Sequence, residues 1–169
     1  MLNRSLVILV LVLVIAMADA GESQMKKSSG DSSKGKAQIV FVCEHGAALS
    51  VVSAAYFNKI AKEKQLNLHA IARGTEPQKD LSVSARQGLN TDKVPFEPNP
   101  PQRLSTKDAM HARRIVAFCP LPRKYHTLAP VETWNDVPPT GENYARARDA
   151  ILTHLQKLIR QLESNGMKP

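Results

Sequence analysis

Gln38-Ile39-Val40-Phe41-Val42-Cys43-Glu44-His45-Gly46-Ala47-Ala48-Leu49-Ser50 is the stretch that decides how this chain folds. Four consecutive β-formers, Ile39 to Val42, read as a strand buried on both faces. The small residues after Cys43 let the backbone turn tightly, so that successive N–H groups converge ahead of a helix expected from about Ser50. Such a strand, turn and helix N-terminus together write a cradle for an anion. The same positive environment favours the thiolate of a cysteine, which makes Cys43 a nucleophile facing a bound oxyanion such as phosphate.

Working outward, Ser50 to about Lys64 reads as a helix, with Ala54, Phe57, Ile60 and Ala61 at helical spacing. Leu66 to Arg73 alternates as a second strand, stopped by Gly74-Thr75-Glu76-Pro77, and a short helix is expected over Ser82 to Leu89. Pro95, Pro98, Pro100 and Pro101 make Val94 to Gln102 an irregular surface loop. Ser105-Thr106-Lys107-Asp108 can cap a short helix, and Arg114 to Cys119 reads as a buried third strand ended by Pro120 and Pro122. Val131 to Val137 is expected as a fourth strand. Thr140 reads as the N-cap of a strongly periodic helix carrying Ala147, Ile151, Leu155, Leu158, Ile159 and Leu162 and closing near Gly166. Strands separated by helical crossovers point to an α/β fold, a parallel sheet with helices on both faces.

Residues 1–20 stand apart. A basic start at Arg4, an apolar run from Leu6 to Ala18 and the small-residue site Ala18-Asp19-Ala20 read as a secretory signal. The expected location is therefore outside the cytoplasm, periplasmic or secreted, with membrane attachment only through an uncleaved signal or weak electrostatics. The formal net charge is +8 over 169 residues, and removing the signal takes away one Arg and one Asp. Part of that charge lies in Lys26, Lys27, Lys34 and Lys36, within a Ser/Gly/Lys-rich stretch over 21–36 that reads as a flexible linker. Nucleic acid is a poor partner, because aromatics are only 5% and none is interleaved with the basic cluster. Residues 37–165 suffice for one domain with one core.

Gly30 to Ala37 nearly spells a nucleotide-binding P-loop, but Ala37 stands where the magnesium-binding hydroxyl belongs and the segment precedes a strand. His69, His111, His126 and His154 show no metal-ligand spacing, and no cofactor is indicated. Cys43 and Cys119 are the two cysteines; in an exported protein they stay open to a disulfide, which would silence the nucleophile, while Cys119 also reads as a small buried hydrophobe.

The Cys43 loop resembles that of the low-molecular-weight protein tyrosine phosphatases and of the thioredoxin-coupled arsenate reductases that share their fold. Their loop reads Cys, five residues, Arg, then Ser or Thr. Here Cys43 and Ser50 fall in place, and Leu49 stands where the arginine belongs. The resemblance implies a three-layer sandwich with a four-stranded parallel sheet in the order 2-1-3-4 and the Cys43 loop at the carboxyl end of strand 1. It implies Cys43 as nucleophile, with Glu44, His45, Gly46, Ala47, Ala48, Leu49 and Ser50 around the substrate. The family arginine clamps two phosphoryl oxygens with a planar fork that leucine cannot replace. Losing one such donor costs ~10²–10³ in rate, so phosphomonoester hydrolysis is expected to be weak or lost. His45 or Arg73 stands open as a substitute charge. The family's general acid, an Asp before Pro on a late loop, has Asp136 as its nearest candidate; an alternative alignment sets Pro139 there and leaves no acid.

Two readings follow. One is an exported phosphatase-like enzyme acting on a phosphomonoester or phosphoprotein through a thiophosphate intermediate. The other is a non-catalytic relative that binds phosphate or another oxyanion, or a protein. Arsenate reduction ranks lower, since the family route uses further cysteines beyond the nucleophile.

Overall fold

The computed structural model describes residues 37–164. The expected signal over 1–20, the linker over 21–36, most of the P-loop-like stretch and the helix end near Gly166 lie outside the described residues.

Four strands form one parallel sheet: β1 (Ala37–Cys43), β2 (Leu68–Gly74), β3 (Ala112–Ala117) and β4 (Val131–Thr133), in the order β2-β1-β3-β4. Among the described residues, five helices connect and follow them: α1 (Leu49–Glu63), α2 (Val83–Thr91), α3 (Thr106–His111), α4 (Arg123–His126) and α5 (Tyr144–Ser164). This is the α/β sandwich that the pattern of strands and helices implies.

β1 is central because it is apolar on both faces. Ile39, Val40, Phe41 and Val42 are each 0% exposed, and their alternation divides them between two cores. Ile39 and Phe41 join Phe57 of α1, Trp134 and the apolar stripe of α5. Val40 and Val42 join Leu104, Ala109 of α3, Ile115 and Tyr125 of α4 on the opposite face. The six buried residues of α5 are Ala147, Ile151, Leu155, Leu158, Ile159 and Leu162, the stripe read from the sequence.

Four elements differ from expectation. β3 runs over Ala112–Ala117 instead of Arg114 to Cys119, because Ala112 already pairs with Gln38 directly after α3, and Phe118 and Cys119 leave the ladder to line the cleft described below. β4 keeps only three residues: Trp134 N still donates to Ala117 O at 2.9 Å, but its indole is drawn into the core, and the prolines that follow have no N–H for a ladder. The cap of α5 is Asn143, whose side chain accepts from Arg146 N at 3.0 Å, while Thr140 is buried and bonded to Ser84 Oγ at 3.1 Å. β2 starts two residues later than its alternation suggests, because Leu66 is used to close α1. Leu66 N returns to Ala61 O at 2.8 Å across Gln65, which takes the left-handed conformation at φ 55°.

Candidate active site

The carboxyl end of β1 delivers Cys43 directly into the Glu44–Ala48 turn, and α1 begins at Leu49. The turn is hung from the chain after β2. Carbonyls of Cys43, Glu44, His45 and Ala47 accept from the amides of Thr75 (3.1 Å), Glu76 (2.7 Å), Gln78 (3.1 Å) and Ser82 (2.9 Å). A trans peptide carries its C=O and N–H on opposite sides, so these contacts turn the amides of Glu44, His45, Gly46 and Ala48 away from that segment. Among the described residues, none of the amides from Glu44 to Ser50 donates to a protein acceptor. The N-terminus of α1 has no side-chain cap and no acidic residue in its first turn, so its positive end is uncompensated.

Gly46 makes the turn possible. It sits at φ 62°, and a Cβ there would fall 2.8 Å from Gly74 N. The Cys43 Sγ lies 3.1 Å from Ser50 Oγ, with Cys43 8% and Ser50 0% exposed. Towards a thiolate the hydroxyl could only donate, so Ser50 is placed to hydrogen-bond Cys43 Sγ in either state.

Above the thiol opens a cleft of about 380 Å³. One side is the loop itself: Cys43, Glu44, His45, Ala47, Ala48 and Leu49. Gln78 and Ser82 line it from the segment before α2, Phe118 and Cys119 from the end of β3, and Pro139, Thr140 and Gly141 from the approach to α5.

No protein-family profile and no curated protein matches the sequence. Solved structures do. A low-molecular-weight phosphotyrosine phosphatase from Vibrio cholerae O395 superposes with a TM-score of 0.65 at 17% identity, over 77% of this chain and 99% of that one. An arsenate reductase from Archaeoglobus fulgidus gives 0.58 at 26% identity, over 72% and 98%. An arsenate reductase in its phosphate-binding state gives 0.62 at 14% identity, over 73% and 97%. The chain has the fold of the low-molecular-weight protein tyrosine phosphatase and arsenate reductase superfamily.

Within this phosphatase-like fold, two residues singled out from the sequence stand elsewhere. The Arg73 guanidinium is held by Asp108, Nε to Oδ2 and Nη2 to Oδ1 both at 3.0 Å, with Nη1 on Ala72 O at 2.9 Å. Burial pushes the Asp108 carboxyl up, but Arg73 and the Ser105 hydroxyl and amide outweigh it and hold it below the usual carboxylate range. Arg73 is thus occupied on the side of α3 and does not line the cleft. Asp136 reaches His154 of α5, at 2.9 and 3.0 Å from Nε2, and that bond holds its carboxyl below the usual range. The His154 ring stacks on Trp134 at 4.6 Å. The segment that reaches the cleft is Pro139–Gly141, and Asp136 is not among the residues lining it.

His45 does line the cleft, with Nδ1 3.4 Å from Glu76 O. Cys43 and Cys119 are both free and share the cleft. Burial pushes the Cys119 thiol up; the Thr75 hydroxyl opposes this, and the negative charges of Cys43 and Glu44 add to it. Among the described residues, no group of three or more His, Cys, Asp or Glu could hold a metal ion.

Sequence reasoning missed the far wall. Ser82 Oγ lies 2.8 Å from Ser84 Oγ, which donates to Thr140 Oγ1 at 3.1 Å. Ser82 is also the N-cap of α2, accepting from Ala85 N at 3.5 Å. A serine before a short helix announces a cap, but nothing local announces that the cap lines the same cleft as Cys43. Phe118, edge-on to Trp134 at 5.7 Å, reads from sequence only as a strand residue.

Proposed function

We propose that the Cys43 loop binds a tetrahedral oxyanion of the phosphate type in an exported protein, and that phosphomonoester hydrolysis at this site is weak or lost. The observation that carries this is Leu49. It holds the place of the family arginine and lines the cleft, and among the described residues lining that cleft there is neither Arg nor Lys. Arg73, the alternative charge, is engaged by Asp108. The binding half of the proposal is supported by the unclaimed loop amides, by the Ser50 hydroxyl beside Cys43 and by the fold's likeness to a reductase in a phosphate-binding state. Residual turnover would proceed by attack of Cys43 on phosphorus with the leaving oxygen taking a proton from water, since the approach segment offers Pro139 and no acid.

Turnover of an aryl phosphate by the protein, beside Cys43→Ser and Leu49→Arg, tests the hydrolysis half, and protection of the fold from melting by phosphate tests the binding half. The expected result is rates near background in the wild type and a rise of roughly 10²-fold in Leu49→Arg. Brisk wild-type turnover abolished in Cys43→Ser would instead establish an active phosphatase. Arsenate reduction ranks below both. Cys119 supplies one further thiol at the cleft, whereas the route of the resembling reductases uses more than one beyond the nucleophile. Thiol titration of the exported protein decides whether Cys43 and Cys119 are free or bridged there.

A further inference from the structure

We infer that the Cys43 cleft selects singly charged tetrahedral anions carrying an apolar or aromatic group, of the organic sulfate or sulfonate class, over the doubly charged phosphomonoester. The inference rests on the reading of the loop as an oxyanion cradle and goes on to name what that cradle prefers. Its basis is a charge inventory of the cleft. Among the described lining residues no arginine or lysine is present, and the one carboxylate, Glu44, stands on the loop itself. Cys43 adds a second negative charge whenever it is a thiolate. The positive side is limited to the α1 N-terminus, equivalent to roughly half a charge, to the single imidazole of His45, and to neutral amide and hydroxyl donors from the loop and Ser50.

Neutral dipoles solvate one negative charge well. A second charge on the guest must be stripped of water without a cation to meet it, and faces Glu44 besides. Shape and polarity agree, because Leu49, Phe118 and Pro139 present apolar surface next to the cradle. A phenyl-sized group can be buried there while the charged head reaches the loop. The hydroxyls of Ser82 and Thr140, which also line the cleft, are neutral as well.

Benzenesulfonate and phenylphosphonate test this directly, since they share the ring and the tetrahedral head and differ by one charge at about pH 8.5, above the second ionisation of the phosphonate. Measuring both at one pH keeps the side chains of the cleft in the same state for each. Titration calorimetry on the mature protein should show the sulfonate binding tighter by roughly tenfold. Leu49→Arg should invert the order, and Glu44→Gln should narrow it by strengthening the phosphonate more than the sulfonate. Glu44 is exposed, so its variant serves even if Leu49→Arg fails to fold. Tighter binding of the phosphonate by the wild type would overturn the inference and leave the cradle standing. Binding of neither ligand would overturn both. A sulfonate preference that neither variant moves would place the site elsewhere and overturn the inference.

Discussion

Gly46 and Gly74 are packed backbone to backbone: a Cβ on Gly74 would fall 2.7 Å from Gly46 N, and one on Gly46 would fall 2.8 Å from Gly74 N. Neither distance is tolerated by a real side chain. The contact presses the Cys43 turn onto the end of β2 and brings its carbonyls within reach of the amides of Thr75, Glu76 and Gln78. Gly74→Ala should cost about 1–3 kcal/mol from overpacking. Gly46→Ala should cost about 1–2 kcal/mol more, because it also forces alanine to φ 62°. Urea denaturation checks both. Phosphate should raise the melting temperature of the wild type and leave that of either variant unmoved.

The Arg73–Asp108 pair should shape the acid limb of stability. Asp108 has a lowered carboxyl in the folded state, so its contribution is present above the ordinary aspartate value, about 4, and is lost as pH falls through the lower folded value. The side chains are 18% and 16% exposed, and breaking the two-pronged bond should cost about 2 kcal/mol at neutral pH. Asp108→Asn should lower stability at pH 7 and flatten its decline below about pH 4. An unchanged acid limb would remove the pair from the account.

Tyr56, Tyr144 and Arg148 converge on Asp92 at the end of α2, with Tyr56 Oη donating to Oδ2 at 2.5 Å, Tyr144 Oη at 3.1 Å and Arg148 Nη1 to Oδ1 at 3.3 Å. The cluster ties α1, α2 and α5 together. Burial first, then the Asp92 bond, pushes the Tyr56 phenol well above its ordinary value, and burial takes Tyr144 up to about 12. A raised folded value contributes stability below the ordinary tyrosine range, about 10, that fades as pH climbs through the folded value. Asp92→Ala should cost about 2–3 kcal/mol at neutral pH and bring Tyr56 and Tyr144 ionisation down towards that range, read as phenolate absorbance on alkaline titration.

Asp136→Asn should leave anion affinity, and the aryl phosphate turnover restored by Leu49→Arg, within about twofold of the parent protein, because the carboxylate bonds His154 and does not line the cleft. Trp134 fluorescence should change instead, since His154 stacks on the indole. A large loss of turnover with unchanged fluorescence would restore Asp136 as the acid.

The parts legible in the sequence are those written in local pattern. Ile39 to Val42 announce a central strand by being apolar on both faces, and the α5 stripe repeats long enough to name all six of its buried residues. Cys43, Gly46 and Ser50 are legible because strand, turn and helix follow one another within a dozen residues. What was not legible depends on partners distant in sequence. Arg73 reads as an available cation until Asp108, 35 residues on, is folded against it. Asp136 reads as a loop acid until His154 arrives from α5. Thr140 reads as a cap because Asn143 is an equally good one three residues later, and only the tertiary bond to Ser84 separates them.

The most direct measurement is the backbone amide spectrum of the ¹⁵N-labelled protein, titrated with sodium benzenesulfonate at constant ionic strength. The account predicts saturable shifts concentrated in the amides from Glu44 to Ser50, with Ser50 and the first turn of α1 moving together. Saturable shifts confined to other parts of the fold, with these amides unmoved, would contradict it.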